Sequence, residues 1–333
     1  LTQNEFKLIE GWEEEEGRMS KRYILSHLFL LFFLIFIFCS RKISNEPREA
    51  SDKSGIKKSK IVLLGTGTPN AEPDRSGTSI AIVVGEVSYI VDFGPGIVRR
   101  ASAASTRGIE ALKPQNLRIV FLTHLHSDHT TGYPDLIFTP WVLGRDRPLQ
   151  VFGPPGIKAM TENILKAYEE DVRVRIEGLE PANTEGYKVQ AHEIEEGDIF
   201  EDENVRVKSF LVEHGSWNFA LGFRFDTPER VIVISGDTRP SKNLIENAKG
   251  CDVLIHEVYS LAWFAKQKPE WQRYHSAFHT SSRELAEIAQ KIRPRLLILY
   301  HQLFRGFREK DLLKEIRKYY KGKVVFGHDL DIY

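Results

Sequence analysis

The sequence predicts an α+β fold in which two sheets are flanked by helices, and three observations carry that prediction. Runs rich in Val, Ile, Leu and Phe, bounded by glycine, recur from Ile61 to the C-terminus. Segments with helical spacing are scattered among them. Their order is irregular, which fits neither a doubly wound βα sheet nor a pure sandwich of strands.

Taken in order, "KIVLLGTGTP" reads as a strand breaking into a Gly-rich turn, and "TSIAIVVG" and "VSYIVDFGPG" are β-rich runs that each end at glycine. "LRIVFLTH" is a further buried strand, and "PLQVFGPPG" is a strand followed by a turn. "IKAMTENILKAYEED" has helical spacing. "VRVKSFLVEHG", "FALGFRFDT", "RVIVISGDT" and "CDVLIHEVYS" are strands. "SSRELAEIAQKI" and "EKDLLKEIRKYY" are amphipathic helices, with "RLLILYHQ" between them as a strand. These elements make residues 61–333 one domain with no internal linker and no long repeat.

The residues before it read differently. Residues 23–38, "YILSHLFLLFFLIFIF", are almost wholly apolar and follow Lys21 and Arg22. As a helix they would span about 24 Å, short of a ~30 Å hydrocarbon core. Basic residues ahead of a short apolar run describe a signal peptide or signal anchor, here over residues 19–40. The alternative is a buried core helix. Export predicts a bacterial cell-envelope location, periplasmic or membrane-anchored, with membrane contact through residues 23–39. Cys39 stands where a lipoprotein cysteine would carry its lipid, although bulky Phe38 precedes it where small residues are usual. The chain begins with Leu1, and "GWEEEEGR" lies just before Met19. Residues 1–18 are therefore expected to be a mistaken upstream extension, a translated purine-rich ribosome-binding site, with the natural start at Met19. Residues 41–60 are polar and read as a tether.

Composition limits the partners. Lys plus Arg and Asp plus Glu number 46 each, so no global field favours nucleic acid. Between Arg293 and Lys323 basic residues outnumber Glu309, Asp311 and Glu315, which reads as a solvated helix face or a polyanion-facing surface. The two cysteines, Cys39 and Cys251, exclude a disulfide framework, and Cys251 reads as a small buried hydrophobe.

The chemistry is concentrated in "THLHSDHTTG", which crowds His124, His126, Asp128 and His129 directly after the apolar "LRIVFL". Four such side chains beside a buried strand are costly unless something binds them. His214 in "LVEHG", Asp237 in "ISGDT" and His301 in "LYHQ" each follow another β-type run, and loops at the ends of neighbouring strands can converge. Five imidazoles and two carboxylates suit two zinc ions, with Mn2+ or Fe2+ as alternatives, and the absence of cysteine points to an open site with positions for water. His192 and His328 read as ordinary satisfied polar groups.

Through these motifs, together with "LLGTGTPNAEPDRSGTS", "IVDFGPGIVRRA", "VFGPPG", "VIVISGDT", "LIHEVYS" and "HTSSRELAEIA", the chain resembles the metallo-β-lactamase superfamily and, within it, the ribonuclease Z-like branch. The resemblance covers residues 61–333. It implies a four-layer αββα sandwich with the site along one edge. It assigns His124, His126 and His214 to one zinc and Asp128, His129 and His301 to the other, with Asp237 bridging them. It further implies that a metal-bridging hydroxide attacks a phosphodiester, with Asp128 orienting or deprotonating the water. His279 would donate a proton to the leaving oxygen with support from Glu257; His275 is a rival donor. Asp92 would hold a ligand imidazole in its tautomer, or else be a turn residue before glycine.

One departure bears on the substrate. The 22 residues between His214 and Asp237 leave no room for a tRNA-gripping arm. "WFAKQKPEWQRYHSAFH" looks instead like an insertion beside the site, offering Trp263, Phe264, Trp271 and Tyr274 as a packed lid or as a surface for a planar or apolar substrate group. That departure and the export signal disfavour RNA. The expected partner is a small-molecule or phosphodiester substrate, with homodimerisation expected by analogy with ribonuclease Z relatives. The rival readings are an exported esterase, arylsulfatase or lactamase-type hydrolase on the same metals, then a di-iron redox protein or a metal-binding module without catalysis.

Overall fold

The computed structural model of the protein describes residues 57–333. The expected upstream extension, the signal segment with Cys39 and most of the tether lie outside the described residues. Ser59 and Lys60, read as the end of the tether, already belong to the first strand.

The first sheet runs β1 (Ser59–Gly65), β2 (Ser79–Val84), β3 (Val87–Val91), β4 (Ile119–Phe121), β5 (Leu149–Gly153) and β6 (Val189–Glu193) in that spatial order. It is antiparallel from β1 to β3 and parallel from β3 to β6. The second sheet comprises β7 (Gly197–Glu201), β8 (Arg206–Leu211), β9 (Leu221–Asp226), β10 (Val231–Ile234), β11 (Val253–Tyr259), β12 (Leu296–Leu303) and β13 (Val324–Phe326). It is antiparallel from β7 to β10 and parallel beyond. Parallel neighbours need crossovers, and helices supply most of them. The first half carries α1 (Ile97–Ser105), α2 (Ser127–Thr130), α3 (Tyr133–Val142), α4 (Ile157–Ala167) and α5 (Glu169–Glu177). The second carries α6 (Lys242–Asn247), α7 (Leu261–Phe264), α8 (Pro269–Phe278), α9 (Ser282–Ile292) and α10 (Glu309–Tyr319).

Side-chain parity in the strands creates the layers. Ile61, Leu63, Ile80, Ile82, Ile232, Ile234, Ile255 and Ile298 pack between the two sheets. Their neighbours Val62, Leu64, Ala81 and Val83 face outward onto α1 and α3, while Val233, Leu254, Leu297 and Leu299 face α9 and α10. A strand covered on both faces reads as a continuous apolar run, as "IVLL", "VIVI" and "LLILY" do. The result is the αββα sandwich. The last residues return to its first sheet: the amides of Ile61 and Tyr333 each donate to the other's carbonyl at 2.9 Å.

The single helix expected over residues 157–171 is two helices. Tyr168 leaves helical geometry at φ −106°, ψ 13°, and α5 restarts with Glu169, Glu170 and Asp171 in its first turn, where the helix dipole favours acids. The α9 helix opens with a capping box in which Ser281 Oγ accepts from the Glu284 amide and the Glu284 carboxylate accepts from the Ser281 amide. Between His214 and Asp237 the chain forms β9 and β10, joined by the short turn Thr227–Arg230.

Candidate metal centre

The β4 strand runs straight into the histidine-rich loop, and the one-turn α2 carries Asp128 and His129. The loop is pinned from the side by the residues after β3. A Cβ on Gly94 would come within 2.4 Å of the Asp128 carbonyl oxygen, and one on Gly132 within 2.3 Å of the Gly94 carbonyl oxygen, so only glycine permits this approach. Asp92, held at φ 64°, uses it. Its Oδ1 accepts from the Thr123 amide at 2.8 Å, and its Oδ2 lies 2.8 Å from His129 Nδ1. Asp92 therefore orients His129 and is not merely a turn residue.

All seven expected ligands meet here. His124 Nε2 stands 2.9 Å from His126 Nδ1, and His214 Nε2 stands 3.1 Å from the same atom. Around the other centre, Asp128 Oδ2 lies 3.1 Å from His301 Nε2 and 3.6 Å from His129 Nε2. Asp237 Oδ2 reaches His301 Nε2 at 3.4 Å and His129 Nε2 at 3.5 Å. Asp237 also groups with His124, His126 and His214, so it is common to both sets.

His301 enters through an irregularity. Between the paired positions His256–Leu299 and Val258–Gln302, Glu257 of β11 faces two residues of β12, Tyr300 and His301. This bulge, with His301 at φ 44°, re-aims the His301 side chain toward the site. Glu257 Oε1 accepts from the Thr280 amide at 2.7 Å, while its Oε2 lies 3.4 Å from His279 Nδ1. His279 Nδ1 is 3.9 Å from Asp237 Oδ2, and its ring stacks on His301 with centroids 5.7 Å apart. His279 also groups with Asp237 and His301 as a candidate ligand set. His275 sits one helical turn earlier among Trp263, Trp271 and Tyr274, where burial lowers its pKa to about 4. His192 and His328 lie elsewhere, paired with Gln150 and Glu309.

Charge is divided sharply between the two sets. Burial holds His214 at about 4 and, with the charge of His129, keeps His124 well below the usual imidazole range. Burial also lowers His126. Neutral imidazoles of this kind have lone pairs for a cation. Burial opposes the charge of Asp128, yet His129 and His301 outweigh it and bring the carboxyl to about 2. The same two histidines hold Asp237 well below the carboxylate range against its burial. Burial likewise opposes a proton on His129, but Asp237, Asp128 and Asp92 raise it well above its ordinary value. Two buried carboxylates thus require positive charge between them.

Divalent cations fit this donor set. His129 Nε2 and Asp237 Oδ1 are buried without hydrogen-bond partners, while the second nitrogens of His124, His129 and His214 are held by Thr123, Asp92 and the Phe278 carbonyl. Imidazoles fixed from behind, with their other nitrogens converging, are the arrangement metal ligands need. A cleft of about 410 Å3 opens over His126, Asp128, Asp237, His279 and His301.

Three supporting residues had no signal in the sequence. Trp217 Nε1 donates to His126 Nε2 at 2.8 Å. Asp329 accepts from the Thr66 and Ser76 amides at 2.9 and 2.7 Å, pinning the Gly-rich loop after β1. Glu315 accepts from the Leu261 and Ala262 amides at 2.9 and 3.1 Å and from the hydroxyls of Ser260 and Ser282, which fixes the start of the aromatic insertion.

Comparisons with known proteins agree with this architecture. Residues 88–302 match the family model described as the beta-lactamase superfamily domain. The chain is 30% identical over 275 residues to the ribonuclease Z of Mycobacterium bovis, covering 81% of this chain and 96% of that protein. The metallo-beta-lactamase fold protein YhfI from Bacillus subtilis superposes with a TM-score of 0.65 at 16% identity, over 83% of this chain and 98% of that one. Human tRNase Z, short form, superposes with a TM-score of 0.58 at 20% identity, over 82% and 98%. The two structures share the fold, and the Mycobacterium sequence matches nearly from end to end. On that evidence the chain belongs to the metallo-β-lactamase superfamily, as a ribonuclease Z-like hydrolase.

Proposed function

We propose that the protein is a dinuclear zinc phosphodiesterase. The observation that favours this bond type is the Glu257–His279 pair, 3.4 Å apart, standing beside two ligand sets that already have seven side chains. When bound, the zinc pair supplies Lewis-acid activation of water and of the phosphoryl group. His124, His126 and His214 would hold one ion and Asp128, His129 and His301 the other, with Asp237 between them.

The remaining work falls to the chain itself. A departing alkoxide needs a proton, and His279 lines the cleft where it would leave. Burial and the Asp237 carboxylate raise Glu257 well above the usual carboxylate range. Burial lowers His279 well below the imidazole range, with Asp237 opposing. Burial disfavours charge on either member, so the pair is suited to passing a single proton. Because Oε1 of Glu257 is engaged by the Thr280 amide, only Oε2 faces His279 for that exchange. Asp128, which also lines the cleft, is the group to orient the attacking water.

Metal analysis of the full chain with a hydrolysis panel tests this reading. About two zinc ions per chain are expected, with cleavage of bis-aryl phosphate ahead of aryl sulfate, carboxyl ester and β-lactam. Preferred cleavage of any of the last three would transfer the site to a rival hydrolase class. Export through residues 21–38 is part of the same proposal, and cell fractionation checks it: recovery of unprocessed protein from the cytosol would reopen a tRNA substrate.

A further inference from the structure

One wall of the cleft has no task in the hydrolytic step. The α7 and α8 helices bring Trp263, Gln267, Trp271, Tyr274 and His275 to it, while Asn70 and Arg305 arrive from the loops after β1 and β12. Trp271 stacks on His275 with centroids 5.9 Å apart and planes at 27°. Trp263 meets the same imidazole edge-on at 4.8 Å, and Tyr274 meets Trp271 edge-on at 5.6 Å. His275 lies 5.7 Å from His279, which stacks on His301. A continuous line of rings thus leads from a candidate metal ligand to Trp271.

Trp271 remains 52% exposed, which by itself means little. The polar groups around it give the direction. Gln267 Nε2 donates to the Trp263 carbonyl and Asn70 Nδ2 to Thr68 Oγ1, both at 3.0 Å, which leaves each amide's carbonyl oxygen as an acceptor facing no donor among the described residues. Arg305 is exposed and makes no ion pair or hydrogen bond among the described residues. An acyl or lipid occupant would leave these groups unanswered. A nucleobase answers all of them: its face stacks on indole, its exocyclic amine donates to amide oxygens, and the attached sugar-phosphate meets a guanidinium. A volume of about 410 Å3 lies in the lower part of the range for small-molecule sites.

We propose that this wall is a nucleoside-binding subsite that selects small phosphodiesters bearing a nucleobase. The inference rests on the phosphodiesterase reading, and its test separates the two. Metal-loaded full-length protein is given adenosine 5′-(p-nitrophenyl phosphate) and methyl p-nitrophenyl phosphate, which share the bond and the leaving group. One stacked base is worth roughly 5- to 150-fold, so kcat/KM should favour the nucleoside ester within that range. Trp271→Ala should bring the ratio toward one, and Trp271→Phe should keep most of it; taking the ratio cancels any general loss of activity. In parallel, calorimetry compares adenosine 5′-monophosphate with ribose 5-phosphate, a readout that needs no turnover. Equal use of the two esters with equal binding of the two phosphates overturns the subsite and leaves the phosphodiesterase intact. Hydrolysis of neither ester, with the nucleotide still bound preferentially through Trp271, overturns the reaction and keeps the subsite. A ratio unchanged in Trp271→Ala overturns the assignment of the wall.

Discussion

The ligand loop at residues 123–132 and the aromatic wall at residues 261–278 line one cleft and are held in opposite ways. His124, Asp128 and His129 are buried, and the loop's backbone is locked against Gly94 and Gly132. The wall is fixed at its root by Glu315, but α8 buries only His275 and leaves Trp271 open. Groups that share a cation must be placed to a fraction of an ångström and held from behind, whereas a surface that receives a ring needs its faces left free. In this cleft rigidity goes with the ligand sets, and exposure with the aromatic wall.

The sharpest way to break that comparison is at Asp237, which groups with His124, His126 and His214 and lies 3.4 and 3.5 Å from His301 and His129. Asp237→Ala should lose metal and activity together, measured by elemental analysis and by hydrolysis rate. Full activity in a metal-depleted preparation would remove the metal from the mechanism.

Next in size is His279. Its substitution by alanine should keep both metals while slowing the chemical step by roughly 10²–10⁴-fold, the usual contribution of a positioned acid. The loss should shrink for a nitrophenolate leaving group, which departs without a proton. His275→Ala should do far less to that step, since its ring lies in the wall. If His279→Ala strips a metal, the third ligand grouping is the correct one and the proton-donor role is wrong.

A smaller effect is expected behind the ligands. Asp92→Asn removes the charge facing His129 Nδ1 at 2.8 Å and should weaken one metal by about 10- to 100-fold while sparing the His124–His126–His214 set. Asparagine tolerates the left-handed backbone that Asp92 adopts at φ 64°, so the loop should keep its shape. Competition with a chelator, read for each metal separately, distinguishes this from a uniform loss.

The same contrast explains what could be read from the sequence. Strands β1, β2, β10 and β12 are covered on both faces and contain the unbroken apolar runs "IVLL", "IAIVV", "VIVI" and "LLILY". Edge strands β6 and β7 are half-exposed, and "VQAHE" and "GDIFE" carry no such signal. The α3 helix was hidden by Pro134 in its first turn and Pro140 inside it. Ligands were legible because each stands close behind an apolar run, although His301 lies inside β12 at its bulge and not in a loop beyond it. Asp329 was not, because its partner Thr66 lies 263 positions away and a lone aspartate announces no acceptor role. Glu315 stood among exposed basic residues and read as part of a solvated face, although its carboxylate is turned inward onto α7.

Trp217 tests where the two kinds of surface meet. Its indole donates to His126 Nε2 at 2.8 Å. A neutral imidazole that accepts at Nε2 carries its proton on Nδ1, the atom 2.9 Å from His124 Nε2 and 3.1 Å from His214 Nε2. A cation on Nδ1 would send that proton to Nε2, where it would face the indole N–H donor to donor. Binding of the first metal should therefore require the indole to turn aside, and half-buried Trp217 has room to do so. Trp217→Phe keeps an aromatic ring and deletes the donor. One neutral hydrogen bond contributes about 0.5–1.5 kcal/mol net, so affinity at the His124–His126–His214 set should rise roughly 2- to 12-fold. Zinc titration should also change tryptophan emission in the native protein, and that change should shrink in the variant. Weaker binding by Trp217→Phe would mean that the indole steadies His126 for the metal and does not compete with it.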